Sequence, residues 1–422
     1  MIKKKKLILQ FNEANFDLIE KYVHKYNFLG LEKILLSKTK IITSSEKEYK
    51  HLEPWIQWYS FYTGLPYREH KIFHLGDCIH SKYETFLDNK NHKKKKIAIY
   101  SSMNLRPSKS YNIYIPDPWT NAESDNSVSS KYVSSSLKQI VNDNVRFSIN
   151  IKSILGLLFI IGVPTSLTSL KRMFSVIFSM MLKSRSKLSA YLDYFFVLYS
   201  LRRSSINQID ISMIFMNGLA HAQHHFLNES EFVKSKKYEL QNDPIYESLK
   251  IYDQLFKNIF NRYDKTHDIW TITGLTQKPF KKPLYYWRLR NHRKIIKYFT
   301  GLDIKLSPRM SRDFEIFTNN QNSLDKIELF LRQSKIIHRK KSLKAFSFIS
   351  RKKNSIFATF AYNLENSDVK IEWKKKIYNL KNNIDFVARK NGVHSENGWA
   401  FCNNVKKIKL LKLPIWKIAK FI

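Results

Sequence analysis

The sequence predicts an α/β fold with a mainly parallel central sheet that is flanked by helices and carries a helical insertion. Short apolar runs of strand length alternate along the chain with segments whose apolar residues recur every three or four positions, as in amphipathic helices. Polar loops directly follow several predicted strands, and open parallel sheets bind ligands at that carboxyl edge. With 422 residues, of which 43% are hydrophobic, the chain can bury a large core.

The apolar pattern places the elements in order along the chain. Strands are predicted at residues 5–11, 96–104, 211–219 and 268–275. Helices are predicted to begin near Asn15 and to cover residues 243–262 and about 322–334. Five regions result: 1–136 and 206–280 as parts of the α/β core, 137–205 as the helical insertion, 281–384 as a basic irregular or helical region, and 385–422 as the last part of the core.

The chain is strongly basic, with 73 Lys and Arg against 35 Asp and Glu and a formal net charge of +38. Such a charge favours anionic partners, namely phosphorylated or sulfated substrates, anionic membrane surfaces or nucleic acid. Nucleic acid is the least favoured partner, because no recognition motif accompanies the charge and the basic residues are spread along the chain. Lys, Asn and Ile are also abundant in proteins of AT-rich genomes, so background composition is an alternative source of the charge.

Cysteine content and apolar segments indicate a cytoplasmic protein. Only Cys78 and Cys402 are present, which is typical of a reducing compartment. The apolar run Leu7–Leu9 is too short for a signal peptide. The run Ile154–Val163 is too short for a membrane span, which needs about 20 residues, so we expect it to be buried or to contact a membrane surface peripherally.

Candidate site residues lie in three polar loops that follow predicted strands. They are Asn12 and Glu13 in "QFNEANFD" at 10–17, His221, His224 and His225 in "NGLAHAQHHF" at 217–226, and His394 in "NGVHSENGWAF" at 391–401. His221 and His224 are three residues apart, so they can face one ligand on a helical turn, and neutral imidazoles suit zinc or manganese. The alternatives are structural histidines, and a Glu13 that only complements the dipole at a helix N-terminus.

The stretch "EPWIQWYSFYTGLPYREHKIF" at 53–73 is rich in aromatic residues and has Lys and Arg only near its end. We interpret it as the buried wall of a cleft, in which Glu53 and Gln57 form the polar face and Thr63–Gly64 permits a turn. The alternative is that the aromatic residues only cover the sheet.

In order along the chain, these segments resemble the motifs of the alkaline phosphatase superfamily, in its type I phosphodiesterase/nucleotide pyrophosphatase branch. "FNEANFDLI" at 11–19 is similar to the motif after the first strand, and the stretch from Trp58 through "SFYTGLPYREHKI" is similar to the motif around Thr-Gly-x-x-Pro. "LAHAQH" at 219–224 resembles Leu-Asp-x-x-x-His, and "GVHSENG" at 392–398 resembles Gly-x-His-x-x-x-Gly. The resemblance implies an alkaline-phosphatase-like fold and a hydrolase of phospho- or sulfo-esters.

The same resemblance shows which family residues have changed. Family members use two metal ions, held by Asp and His, to activate a Thr or Ser nucleophile. Asn12 and Ala220 correspond to metal-binding aspartates, Pro54 corresponds to the nucleophile, and His224 and His394 correspond to histidine ligands. Most of the negative charge that would hold two metal ions is therefore absent.

We therefore expect a degenerate site. A single zinc or manganese ion could be held by His221, His224, His394 and a carboxylate. The expected catalytic residues are Glu13, Glu53 and Gln57, and the expected substrate-binding residues are Asn12 and Thr63. A metal-free site with a His as general acid or base is the alternative chemistry.

Two functions follow from this expectation. The first is hydrolysis of a phosphorylated or sulfated substrate, and the resemblance suggests surface polysaccharide metabolism as its setting. The second is a catalytically inactive pseudoenzyme that binds anionic glycans or membrane surfaces.

Overall fold

The structure is a computed structural model that describes residues 4–89, 92, 94–142, 151–162, 185–233, 243–309, 312–338, 341–365, 368–405 and 411–422. The chain divides into two compact units. The first unit comprises Met1–Gln139, Ile149–Phe280 and Asn391–Ile422, and the second consists mainly of Lys281–Lys390.

The first unit is built on an eight-stranded sheet. Its strands are β1 (Lys5–Phe11), β2 (Thr39–Ser44), β3 (Ile97–Tyr100), β4 (Tyr111–Ile115), β5 (Ile211–Met216), β6 (His267–Ile272), β17 (Asn397–Cys402) and β18 (Leu411–Pro414). Their order across the sheet is β18-β2-β17-β6-β1-β5-β3-β4. Only β17 is antiparallel to its neighbours, β2 and β6, whereas the other pairings are parallel. The predicted mainly parallel α/β fold is confirmed.

Strand β1 lies in the interior of the sheet, and its residues Leu7–Leu9 and Phe11 are apolar and buried. Leu7, Leu9 and Phe11 pack into the core on one face, and Ile8 packs into the core on the other. Side chains alternate between the two faces of a strand, so this near-continuous apolar run requires cover on both sides.

Helices cover both faces of the sheet. They are α1 (Phe16–Tyr26), α2 (Leu29–Leu35), α3 (Pro54–Thr63), α4 (Tyr67–His70), α5 (Val128–Asn142), α6 (Ile151–Ile161), α7 (Arg185–Ile206), α8 (Gly218–Phe226) and α9 (Pro244–Tyr263). Residues of α1, α2, α7, α8 and α9 share one apolar core, while α3 and the C-terminal 3₁₀ segment Ile415–Phe421 contribute to the core on the other face. The predicted start of the first helix agrees with the structure, since the side chain of Asn15 caps α1 by accepting from the amide of Leu18.

The predicted helical insertion at 137–205 consists of helices where it is described, but α7 is part of the helical layer on the sheet. Tyr194, Phe196 and Val197 of α7 are buried in the same core as Leu9 of the central strand. Residues 143–150 and 163–184 of the predicted insertion lie outside the described residues.

The second unit contains many strands, so the prediction of an irregular or helical region at 281–384 is wrong in this respect. The strands are β8 (Lys305–Pro308), β9 (Asp313–Phe317), β10 (Lys335–His338), β11 (Lys341–Lys344), β12 (Phe346–Arg351), β13 (Ser355–Phe360), β14 (Lys370–Trp373) and β15 (Lys376–Asn379). They form two four-stranded antiparallel sheets, β12-β13-β9-β8 and β11-β10-β14-β15, and are accompanied by α10 (His292–Thr300) and α11 (Gln321–Gln333).

The sequence pattern did not predict these strands, because most are short and several of their exposed positions carry lysine. In β14, Lys370 is exposed while Ile371 and Trp373 are buried. Four residues contain too little alternation to distinguish a strand from a polar loop.

Two longer strands, β7 (Thr276–Leu289) and β16 (Ile384–Ser395), pair with each other. Within the described ranges, no helix combines the length and the apolar character needed to cross a membrane. Cys78 and Cys402 are both free and buried.

Candidate functional site

The carboxyl edge of the central sheet brings distant loops together. Asn12 and Glu13 follow β1 directly, and Asn217 follows β5. Because β17 runs against its neighbours, its first residue lies at this same edge. His394, at the end of β16 and three residues before β17, is thereby placed beside the loop after β1.

Glu13, His224 and His394 form a compact cluster at this edge. The Glu13 Oε2 atom lies 3.0 Å from Nε2 of His224 and 3.2 Å from Nε2 of His394. One ligand atom from each of these residues lies within 4.8 Å of the other two. Glu13 is 2% exposed and His394 is 8% exposed, so the cluster is largely withdrawn from solvent.

Gln277 fixes the carboxylate of Glu13. Its Nε2 donates to Oε2 of Glu13 at 2.6 Å and to the carbonyl of Ala220 at 3.0 Å. A Cβ atom at Gly392 would lie 2.5 Å from Oε1 of Gln277, so the absence of a side chain at Gly392 gives this amide its space.

The backbone of Glu13 is held in an unusual conformation. Its φ of 55° lies in the left-handed region, which costs a residue other than glycine roughly 1–2 kcal/mol. The surrounding loops hold it there, because its amide donates to the carbonyl of Thr273 and its carbonyl accepts from Nε2 of Gln223. Strain that the surroundings maintain is typical of functional sites.

The second ring nitrogen of each histidine faces an acceptor. Nδ1 of His224 lies 3.3 Å from the carbonyl oxygen of Gly392, and Nδ1 of His394 lies 3.6 Å from Oε2 of Glu53. Histidines that bind metal ions usually donate their other N–H to a carbonyl or a carboxylate. Both rings therefore direct Nε2 towards Glu13, and the acceptor at Nδ1 helps to fix the orientation of each ring.

The electrostatics keep Glu13 ionised. Burial raises the pKa of its carboxyl, but the imidazoles of His224 and His394 more than offset this effect and hold the pKa well below its usual range. At neutral pH the cluster thus contains a carboxylate ready to act as a ligand.

Asn12, predicted to bind substrate, supports the cluster from one side. Its Nδ2 donates to Oε1 of Glu13 and to Oδ1 of Asn217, and its Oδ1 accepts from Nε1 of Trp58 at 2.8 Å. These partners use the polar atoms of the side chain, and the residue is 1% exposed. In this arrangement Asn12 orients Glu13.

Helix α3 contributes Trp58, which contacts Asn12, and the residue at its N-terminal boundary to the site. Glu53, at its N-terminal boundary, faces His394, and its side chain is 34% exposed. Gln57 is fully buried and donates to the carbonyl of His51.

Thr63 is at the opposite end of this ten-residue helix, where its hydroxyl accepts from the amide of Leu65. A helix of this length separates its ends by about 15 Å, so the structure does not place Thr63 in the cluster.

The structure also separates His221 from the predicted metal set. Its Nε2 lies 3.3 Å from Nε2 of His225, one turn further along α8, and it is Glu13 that completes the group with His224 and His394. Spacing along a helix identified which histidines share a face but could not identify the partner of each.

Gln277 and Gln223 are the site residues that motif reasoning did not assign. Gln223 accepts from the amide of Asn15 and donates to the carbonyl of Glu13, which ties α8 to the loop after β1. The only sequence signal for Gln223 is its position directly before His224, and Gln277 lies two residues beyond the strand predicted at 268–275.

No protein-family model and no curated protein sequence matches the chain. Among solved structures, phosphonoacetate hydrolase from Sinorhizobium meliloti 1021 is similar with a TM-score of 0.47 and 11% identity, over 99% of this chain and 94% of that chain. Human ectonucleotide pyrophosphatase/phosphodiesterase 5 is similar with a TM-score of 0.40 and 11% identity, over 99% and 93%. Wild-type alkaline phosphatase PafA is similar with a TM-score of 0.47 and 10% identity, over 99% and 95%.

All three are alkaline phosphatase superfamily proteins, the superfamily whose motifs the chain resembles. Their identities to this chain are near 10% and their TM-scores are below 0.5, so their substrates do not indicate the substrate of this chain.

Proposed function

We propose that this protein hydrolyses an anionic phospho- or sulfo-ester with the help of one divalent metal ion held by Glu13, His224 and His394. The observation that carries the proposal is the convergence of three ligand atoms from separate parts of the chain within 4.8 Å. The second ring nitrogen of each histidine is oriented as in metal centres, which a purely structural cluster would not require.

The residues present fit one metal ion better than two. Two imidazole nitrogens and one glutamate oxygen form a donor set known from catalytic zinc sites, which keep a further position open for water or substrate. A second ion would need carboxylates at the positions of Asn12 and Ala220, and neither side chain offers one. Zinc suits this set of nitrogen and oxygen donors, and manganese is the second choice.

Each protein group has a defined task in this scheme. A divalent ion in such a set acts as a Lewis acid and lowers the pKa of water. Gln277 and Asn12 hold Glu13, and Glu53 orients His394 while its partly exposed carboxylate can accept a proton from attacking water. Pro54 offers no nucleophile, so hydrolysis proceeds by direct attack of water instead of through a covalent intermediate at that position.

The substrate class follows from charge. A net charge of +38 attracts phosphate and sulfate esters. Within this class, the resemblance described above favours a phosphorylated or sulfated glycan, as in surface polysaccharide metabolism.

Metal content and activity test the proposal together. Purified protein should bind zinc or manganese tightly, and aryl phosphate, phosphodiester and sulfate substrates should be hydrolysed only with metal. Glu13→Gln, His224→Gln and His394→Gln should each lose the tightly bound ion and the activity, whereas His24→Gln, an exposed histidine on α1, should keep both. Metal retained at full stoichiometry in all three site variants would overturn the proposal.

Helix α6 favours a second function, peripheral membrane contact, which would also suit an inactive binding protein. Ile154, Leu155, Leu158 and Phe159 are between 39% and 56% exposed. They lie at i, i+1, i+4 and i+5, so they share one helix face, while Ile160 is buried in the core. This helix is thus buried on one side and exposed on its apolar face. An anionic bilayer would take up the exposed apolar side chains and attract the positive charge of the protein.

Vesicle sedimentation tests this contact. The protein should bind phosphatidylserine vesicles more strongly than phosphatidylcholine vesicles. Leu158→Ser with Phe159→Ser should weaken binding, whereas Leu36→Ser, at an exposed leucine after α2, should not. Equal binding by all variants would exclude α6 as the contact.

A further inference from the structure

We infer that His221 and His225 form a second metal-binding site on helix α8, separate from the Glu13, His224 and His394 cluster. The two residues are four positions apart and both are half-buried. Their Nε2 atoms face each other at 3.3 Å, with ring centroids 4.4 Å apart and planes inclined by 70°.

The distance between the two nitrogens matches the separation expected when both bind the same metal ion. Zinc binds imidazole nitrogen at about 2.0–2.1 Å in tetrahedral geometry, which places two such nitrogens about 3.3–3.4 Å apart. The same separation also allows a hydrogen bond in which one imidazole donates to the other, which is the alternative that the test below separates.

The spacing is itself suited to chelation. Histidines four residues apart on one helix face bind zinc together in metalloprotease helices. The pair at His221 and His225 supplies two neutral nitrogen donors without a carboxylate, so it selects borderline metals such as zinc, nickel or copper over magnesium or calcium. Two ligands leave further positions open, which water or an anionic ester oxygen can fill.

The pair lies beside the proposed catalytic cluster. His221, His224 and His225 fall within about 100° of helix arc, and His224 belongs to the first cluster. The resemblance to the superfamily assigns no ligand to His221 or His225, because its motif covers Ala220 and His224. A cation on this pair would therefore add positive charge near the site from residues that the known motifs do not use.

Zinc stoichiometry tests the inference independently of activity. Metal-free full-length protein titrated with Zn²⁺ alone should bind two equivalents. His221→Gln with His225→Gln should bind one, and Glu13→Gln with His394→Gln should also bind one, because each double variant removes a different site. His24→Gln, an exposed histidine on α1, should still bind two, and circular dichroism checks that every variant folds.

The outcomes separate this inference from the proposed function. If the His221→Gln and His225→Gln protein binds as much zinc as the wild type, the pair is only a hydrogen-bonded pair and the inference fails. If zinc is lost only in that variant, and the Glu13→Gln and His394→Gln protein keeps the wild-type amount, the proposed catalytic cluster fails and the pair stands.

Discussion

At the scale of single residues, Glu13 is the side chain on which the site depends. It is the first acidic residue after the central strand, and it receives hydrogen bonds from Gln277 and Asn12 while contacting both histidines. The sequence identified Glu13, His224 and His394 as candidates because each lies in a polar loop near a strand end. It assigned no role to Gln277, because an amide that supports a carboxylate has no motif of its own.

Ser60 is the nearest serine or threonine in sequence to the altered nucleophile position, Pro54, and the structure explains why it cannot replace the nucleophile. Its Oγ lies 2.9 Å from Nε2 of His70, and it is fully buried. Nδ1 of His70 accepts from the amide of Ile72, so in the neutral ring the proton is on Nε2 and is donated to Ser60. A ring in this tautomer cannot accept the serine proton, as a nucleophile's base must.

We therefore predict that Ser60→Ala leaves hydrolysis within about twofold of the wild type, whereas His224→Ala and His394→Ala abolish it. The physical reason is that Ser60 is fully buried against His70, whereas His224 and His394 contact Glu13. Initial rates on aryl phosphodiesters, with added zinc or manganese, measure the difference. A covalent adduct on Ser60 in the wild type would contradict this prediction.

His70 also predicts a pH dependence of stability. Burial lowers the pKa of His70 to about 4, whereas an unfolded histidine titrates near about 6.5. The unfolded chain therefore takes up a proton first, so the contribution of His70 is complete above pH 6.5 and is lost as the pH falls towards 4.

The comparison of wild type with His70→Asn isolates this contribution. Between pH 6.5 and 4.5, the variant should lose less free energy of unfolding than the wild type, by up to about 1.4 kcal/mol per pH unit. Urea unfolding at each pH measures it. Parallel pH curves for the two proteins would show that His70 does not remain neutral in the folded state.

At the scale of elements, close packing sets the position of α8, which carries His224 of the cluster and the pair His221 and His225. The amide of Gly218, its first residue, donates to Asp193 of α7, and burial raises the pKa of that carboxyl to about 6. A Cβ atom on Gly218 would lie 2.4 Å from the carbonyl oxygen of Ser189. The sequence predicted a loop with three histidines here, but this contact between α7 and α8 depends on the tertiary fold and leaves no local pattern.

The hairpin between β14 and β15 has a turn sequence that is unfavourable for its backbone conformation. Lys374 and Lys375 form its two-residue turn with φ values of 47° and 65°. Such turns favour Asn-Gly, because both residues must be left-handed. Two adjacent lysines add charge repulsion to this backbone cost.

Replacing the pair by Lys374→Asn and Lys375→Gly should stabilise the protein by roughly 1–2 kcal/mol. The gain should persist at about 1 M salt, where charges are screened within about 3 Å, because the larger part comes from the backbone. Chemical denaturation at low and high salt measures both parts. Lys335→Asn, which removes one exposed lysine from the same sheet without changing a turn, is the matched control.

At the scale of the whole molecule, the positive charge is unevenly distributed. Residues 281–390 contain 27 Lys and Arg but 9 Asp and Glu, so the expectation that basic residues are spread along the chain is wrong for this segment. Alternation of strands and helices sufficed to predict the α/β sheet, because four of its strands, β1, β3, β5 and β6, are runs of mostly buried residues. The second unit could not be predicted in the same way, since its short strands depend on pairing partners that are distant in sequence.

With a net charge of +38, the positive side chains of the protein repel one another. This repulsion predicts how the melting temperature depends on salt. Like charges held together in the folded state destabilise it. Raising the salt from about 0.01 M to 0.1 M shortens the screening length from about 30 Å to 10 Å. The melting temperature should therefore rise with sodium chloride over this range, as thermal unfolding followed by circular dichroism would measure. A fall would mean that ion pairs such as Arg290–Asp385 and Arg293–Asp303 outweigh the repulsion, since salt screens attraction equally.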